Sequence, residues 1–121
     1  MTIREIAGIL DARWLCCEEE ADREVQFAFA SDMMSDVLAY YKTRGMLLTG
    51  LLNPQTIRTA DMMDVKCIAF VRGKTPDEAI ISLAEERGIV TMSTEMGMFG
   101  ACGELYMKGL MTSTKHGESH E

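Results

Sequence analysis

The chain predicts an α/β domain: a three-layer α/β/α sandwich around a largely parallel sheet over residues 1–110, then a polar, disordered tail at 111–121. Strand-like and helix-like periodicities alternate from Val25 onward, the order that yields parallel neighbours with helices on the sheet faces. Cys67-Ile68-Ala69-Phe70-Val71 is apolar throughout, as a strand covered on both sides must be. Helix-start chemistry recurs beside the strands, at Thr2, Asn53 and Thr75. With 121 residues and 47% hydrophobic composition, the chain can fill one core and not two.

The elements follow in order. Thr2-Ile3-Arg4-Glu5 is a capping box, and Ile3, Ile6, Ala7 and Leu10 recur at helical spacing, so a helix is expected over residues 3–11. A short strand over 13–17 ends in the acidic turn Glu18-Glu19-Glu20. Val25, Phe27 and Phe29 alternate with Gln26, Ala28 and Ala30, the period-two pattern of a strand. Ser31 or Asp32 is expected to cap the next helix, with Met33, Met34, Val37, Leu38 and Tyr41 as its apolar face. Gly45 and Gly50 bracket a buried strand over 46–49.

Asn53-Pro54 reads as an N-cap followed by proline at the first helical position, with Ile57, Ala60 and Met63 facing inward. After the 67–71 strand and the Arg72-Gly73 turn, Thr75-Pro76-Asp77-Glu78 reads as N-cap, N1 proline and box glutamate. That helix runs through Ile80, Ile81 and Ala84 to Gly88, placed for the left-handed position beyond a helix end. A strand over 89–92 and a final helix carrying Phe99, Cys102 and Tyr106, ending near Gly109, complete the fold.

Twelve Lys+Arg against nineteen Asp+Glu give a net charge of −7. Such a surface repels phosphate backbones and anionic lipid, so neither nucleic acid nor a membrane is expected as partner. No apolar run is long enough to span a bilayer, and Glu5 stands where an export signal would be apolar. A cytoplasmic location is expected, with Cys16, Cys17, Cys67 and Cys102 as reduced thiols. Eleven methionines read as adaptable core filler.

Catalytic templates are absent from the sequence. It has neither the phosphate-loop nor the dinucleotide glycine pattern. Both histidines, His116 and His120, fall in the tail, which leaves the body without an imidazole base. Cys16-Cys17 is vicinal and lacks metal-site spacing, so no metal or cofactor is expected. No enzyme activity is expected.

Ligands of open α/β sheets collect outside the carboxyl ends of the strands. Four strand exits carry small polar or charged residues: Ser31-Asp32, Thr49-Gly50, Arg72-Gly73 and Ser93-Thr94. With Ser35, Asp36, Asn53 and Arg58 they form the candidate binding rim for a small polar ligand or a protein partner. Taken singly, each of these residues is better explained by helix capping than by binding. Ser31-Asp32-Met33-Met34-Ser35-Asp36 is the exception, with four polar oxygen side chains where one or two suffice for a cap.

Asp22-Arg23, Ser31 through Ala39, Leu48-Thr49-Gly50-Leu51, Asn53-Pro54-Gln55 with Ile57-Arg58-Thr59-Ala60, and Ala101-Cys102-Gly103 with Leu105-Tyr106 together resemble the DRTGG domain, in order, over residues 1–110. Leu51 departs from that pattern, standing where the family name has its second glycine. The resemblance implies a fold like the amino-terminal domain of HPr kinase/phosphorylase and those of Mur ligases. It further implies an accessory role, as beside CBS pairs in regulated pyrophosphatases, where the domain contributes dimer contacts, or in phosphotransacetylases. Stand-alone versions resemble small proteins encoded near hydrogenase subunits. The expectation is therefore a non-catalytic regulatory or sensing domain, probed first with adenine nucleotides and forming a homodimer. The alternatives are a dimerisation or scaffold module for a partner enzyme such as a hydrogenase-type complex, and, more remotely, an enzyme or redox protein using the cysteines.

Overall fold

The computed structural model describes residues 1–41 and 44–112. The expected tail and its two histidines, His116 and His120, lie outside these residues, save for Met111 and Thr112. Elements run α1 (Ile3–Leu10), β1 (Arg13–Cys16), a 3-10 turn (Glu18–Glu20), β2 (Phe27–Ala30), α2 (Met34–Tyr40) and β3 (Gly45–Thr49). They continue with α3 (Pro54–Met62), β4 (Cys67–Phe70), α4 (Glu78–Glu86), β5 (Val90–Ser93), α5 (Met98–Met107) and β6 (Met111–Thr112). The sheet thus extends two residues past the expected boundary at 110, because β6 pairs in parallel with β2.

Strand order is β1-β5-β4-β3-β2-β6, with β1 antiparallel to β5 and every other pair parallel. The expected largely parallel sheet is present, covered on both faces. Met46, Leu48, Cys67, Ala69, Val90 and Met92 face a layer made by α1 and α5. Leu47, Ile68 and Phe70 face the layer of α2, α3 and α4. That two-sided cover is why β3, β4 and β5 are buried at every position. Each fully buried Ile or Leu contributes about 1.5–3 kcal/mol by leaving water.

Local signals fixed most ends. Thr2 and Glu5 form the reciprocal capping box, and α1 stops where Asp11 turns left-handed at φ 50°. Asn53 accepts from the Gln55 N–H ahead of Pro54, as expected. Gly88, at φ 70°, releases α4 into β5.

Two caps differ from expectation. Asp77, not Thr75, caps α4 by accepting from the Ile80 N–H at 3.0 Å, while the Thr75 hydroxyl accepts from Arg13. Neither Ser31 nor Asp32 caps α2: the cap is Met33, without a side-chain bond, because Ser31 is engaged in the preceding turn and Asp32 reaches across to the exit of β3. The helix therefore starts later and turns its inner face to Val37 and Tyr41, leaving Met33 and Leu38 exposed.

On α5 the expected face is also rotated. Ala101 and Leu105, four apart, are buried, and Phe99 is 93% exposed with Tyr106 outside as well. Small Ala101 lets α5 lie close on the α1 layer, which the aromatic rings would prevent.

Candidate functional site

Parallel pairing puts the exits of β2, β3, β4 and β5 on one edge. Ala30 aligns with Leu48, Thr49 with Phe70, and Phe70 with Ser93, so the next residues of each strand converge. The four strand exits that the sequence singled out therefore share one edge of the sheet. Its centre is Asp32.

Asp32 draws three donors together. Its Oδ1 accepts from the Gly50 N–H at 2.7 Å and from the Thr49 hydroxyl at 3.2 Å. Its Oδ2 lies 3.3 Å from Nη2 of Arg72. The Thr49 hydroxyl accepts from the Leu51 N–H, which leaves its own hydrogen for the carboxylate. The Gly50 N–H, then Thr49 and Arg72, hold the Asp32 carboxyl below its ordinary range against the opposing effect of burial. Arg72 and Asp32 side chains remain 44% and 48% exposed, so the pair faces solvent.

Backbone geometry matches this arrangement. Arg72 and Gly73 are both left-handed, at φ 63° and 69°. That turn swings the Arg72 side chain over Gly50, into the volume a Cβ there would take. Glu95 lies over Gly73 in the same way. Leu51, by contrast, has no positive φ and is half-buried, so its place needs no glycine.

The other predicted residues separate into groups. Ser93 and Thr94 are buried, and their hydroxyls donate to the carbonyls of Lys74 and Leu10, both at 2.7 Å. Their role is to tie the loops of the rim together. Ser31 accepts from the Met33 N–H and shapes the turn into α2. Ser35 is exposed and Asp36 half-buried in the first turn of α2, Asn53 caps α3, and Arg58 stands on the solvent face of α3. Among the described residues, Arg58 makes no polar contact with Asp32 or Arg72.

Two rim cations were not legible in the sequence. Arg13 begins β1, and antiparallel pairing sets it opposite Ser93, where its Nη2 donates to Thr75 at 2.6 Å. Lys74 follows the Arg72-Gly73 turn and is exposed. The local signal of Arg13 was only that of a strand end; the edge position of β1 decided its place.

A pocket of about 310 Å³ lies between β2 and α5, lined by Ala28, Ala30, Leu48, Cys102, Tyr106 and Met111. The alanines of β2 are its cause, since they put little volume on that face of the sheet. A second, polar cavity of about 240 Å³ is lined by Arg23, Asp61, Lys66 and Arg87 among others. It lies at the opposite end of the strands, where Arg23 donates to Glu20 and to the carbonyl of Gly88. Asp22-Arg23 therefore stands away from the rim, and Asp22 pairs with Arg4 on α1.

Chemically the rim can bind and position polar groups. The four thiols are free, and burial pushes Cys17 up to about 12 and raises Cys67 and Cys102. Among the described residues, no three His, Cys, Asp or Glu side chains gather as a metal site requires, and no helix is long and apolar enough to cross a membrane.

Comparison with known proteins bears on the family and the fold. The model of the DRTGG domain matches residues 5–105. A crystal structure of the CBS and DRTGG domains of the regulatory region of Clostridium perfringens pyrophosphatase, complexed with the activator diadenosine tetraphosphate, is similar with a TM-score of 0.68 at 17% identity. The likeness covers 86% of this chain and 45% of that one, so the chain spans less than half of that structure. No curated protein sequence matches the chain.

Proposed function

The chain belongs to the DRTGG domain family, and from that premise we propose that it is a non-catalytic regulatory domain that senses a small polar ligand at the strand-exit rim. The carrying observation is the Asp32–Arg72 pair over Gly50, where groups from three consecutive parallel strand exits meet in partly exposed form. Arg13, Arg72 and Lys74 bring positive charge to this edge, beside the carboxylates of Asp32 and Glu95. Anionic metabolites fit that balance, and adenine nucleotides are the first to try, since the similar regulatory region is complexed with diadenosine tetraphosphate. A cytoplasmic setting belongs to this reading.

The test is a thermal-shift and calorimetric screen of adenine nucleotides, including diadenosine tetraphosphate, against the full chain. A ligand that raises the melting temperature of the wild type and loses its effect in Arg72→Ala and Arg13→Ala supports sensing. Silence across the panel counts against it.

A second reading, a homodimer or scaffold module for a partner enzyme without ligand, is favoured by the apolar exterior of α5. Phe99, Tyr106 and Met107 are exposed there, near Met111 of β6. Sedimentation of the wild type and of Phe99→Asp distinguishes a self-association through this face from a monomer.

A further inference from the structure

The donors around Asp32 have the composition of an oxyanion seat: a backbone N–H, a hydroxyl oriented by a neighbouring amide, and a guanidinium. They come from the exits of β3 and β4, whereas the carboxylate they hold comes from the exit of β2. The seat and its occupant thus belong to different elements. Asp32 also lies in the connection from β2 into α2, which carries no side-chain cap of its own.

We infer that Asp32 is an internal stand-in for an external oxyanion, and that a ligand bearing a phosphate or carboxylate group takes the seat of Gly50, Thr49 and Arg72 by displacing it. This rests on the reading of the rim as the ligand-facing surface and names the chemistry that the rim recognises. Displacement releases the Asp32 side chain from β3 and β4 while the Ser31 N–H stays bonded to the Leu48 carbonyl, so occupancy of the seat is coupled to the turn between Ser31 and Met33. The glycine at 50 serves both states, because a side chain there would push the Arg72 guanidinium away. A covalently tethered carboxylate competes with a free anion at high effective concentration, which makes the wild-type seat weak for a simple anion.

Inorganic phosphate is the probe, titrated into uniformly 15N-labelled full-length protein at neutral pH with the Gly50 amide as reporter. Asp32→Ala is expected to bind phosphate at least about tenfold more tightly than the wild type, as an emptied charge-assisted seat implies. The Asp32→Ala/Arg72→Ala double variant is expected to lose that gain. Should Asp32→Ala fail to fold, Asp32→Asn keeps an acceptor for the Gly50 N–H while releasing Arg72, and a phosphate-dependent shift of the Gly50 amide beyond that of the wild type is expected. Folded variants that bind phosphate no better than the wild type overturn the inference, as does a gain that survives loss of Arg72. These outcomes are separate from the metabolite screen: a silent panel on the wild type defeats sensing, yet leaves phosphate binding by Asp32→Ala to be observed or not.

Discussion

The guanidinium of Arg72 occupies the space that a side chain on Gly50 would need. One residue gives up its Cβ so that another, held left-handed at φ 63°, can reach Asp32 across it. Gly50 itself has no positive φ, so close approach alone selects glycine here.

Gly50→Ala is therefore expected to fold with Arg72 swung outward and the ion pair broken. Arginine is flexible and the pair is half-exposed, so the loss is about 0–1 kcal/mol. Urea unfolding of Gly50→Ala, Arg72→Ala and the double variant checks this. The two changes should not add, because either one removes the same contact.

The depressed Asp32 carboxyl gives a pH dependence of defined sign. Its stabilisation is complete above the ordinary carboxylate value of 3.8 and is lost as pH falls through the lower folded value. The stability gap between the wild type and Asp32→Asn should hold from pH 7 to 5 and narrow below that ordinary value. A gap that widens on acidification contradicts the arrangement.

Gly45→Ala should be more damaging than Gly50→Ala. A Cβ at 45 would stand 2.8 Å from the Phe27 carbonyl oxygen and 3.0 Å from the Tyr41 hydroxyl, which accepts from the Gly45 N–H. The opposing atom is backbone in a paired strand and cannot step aside, so about 1–3 kcal/mol is lost. An unchanged urea midpoint would refute it.

Thiol labelling should follow burial. Cys16 and Cys102 are half-buried, whereas Cys17 and Cys67 are buried. Burial, then the Cys16 hydrogen bond, pushes Cys17 up to about 12. At pH 8 Cys17 is then held as the unreactive thiol. Mass spectrometry after brief alkylation should find Cys16 and Cys102 modified first. Cys67 should appear only as the fold opens, and its early labelling would disprove the packing of β4.

Sequence alone determined the layer architecture and the edge on which the rim lies. Alternating periodicities give parallel strands, parallel strands put all exits on one side, and local caps such as Thr2 and Asn53 act within a few residues. Tertiary structure decided what each rim side chain does. Asp32 reads locally as a helix cap, yet the Gly50 N–H and Arg72, 18 and 40 residues away, are better partners for its charge. Arg13 reads as a strand end until antiparallel pairing brings it beside Ser93. Phe99 and Tyr106 read as core until Ala101 proves the closer fit against α1. Caps and periods are set by neighbours in the chain; within the Ser31–Asp36 stretch, Asp32 is placed by donors that other strands supply, which no local pattern encodes.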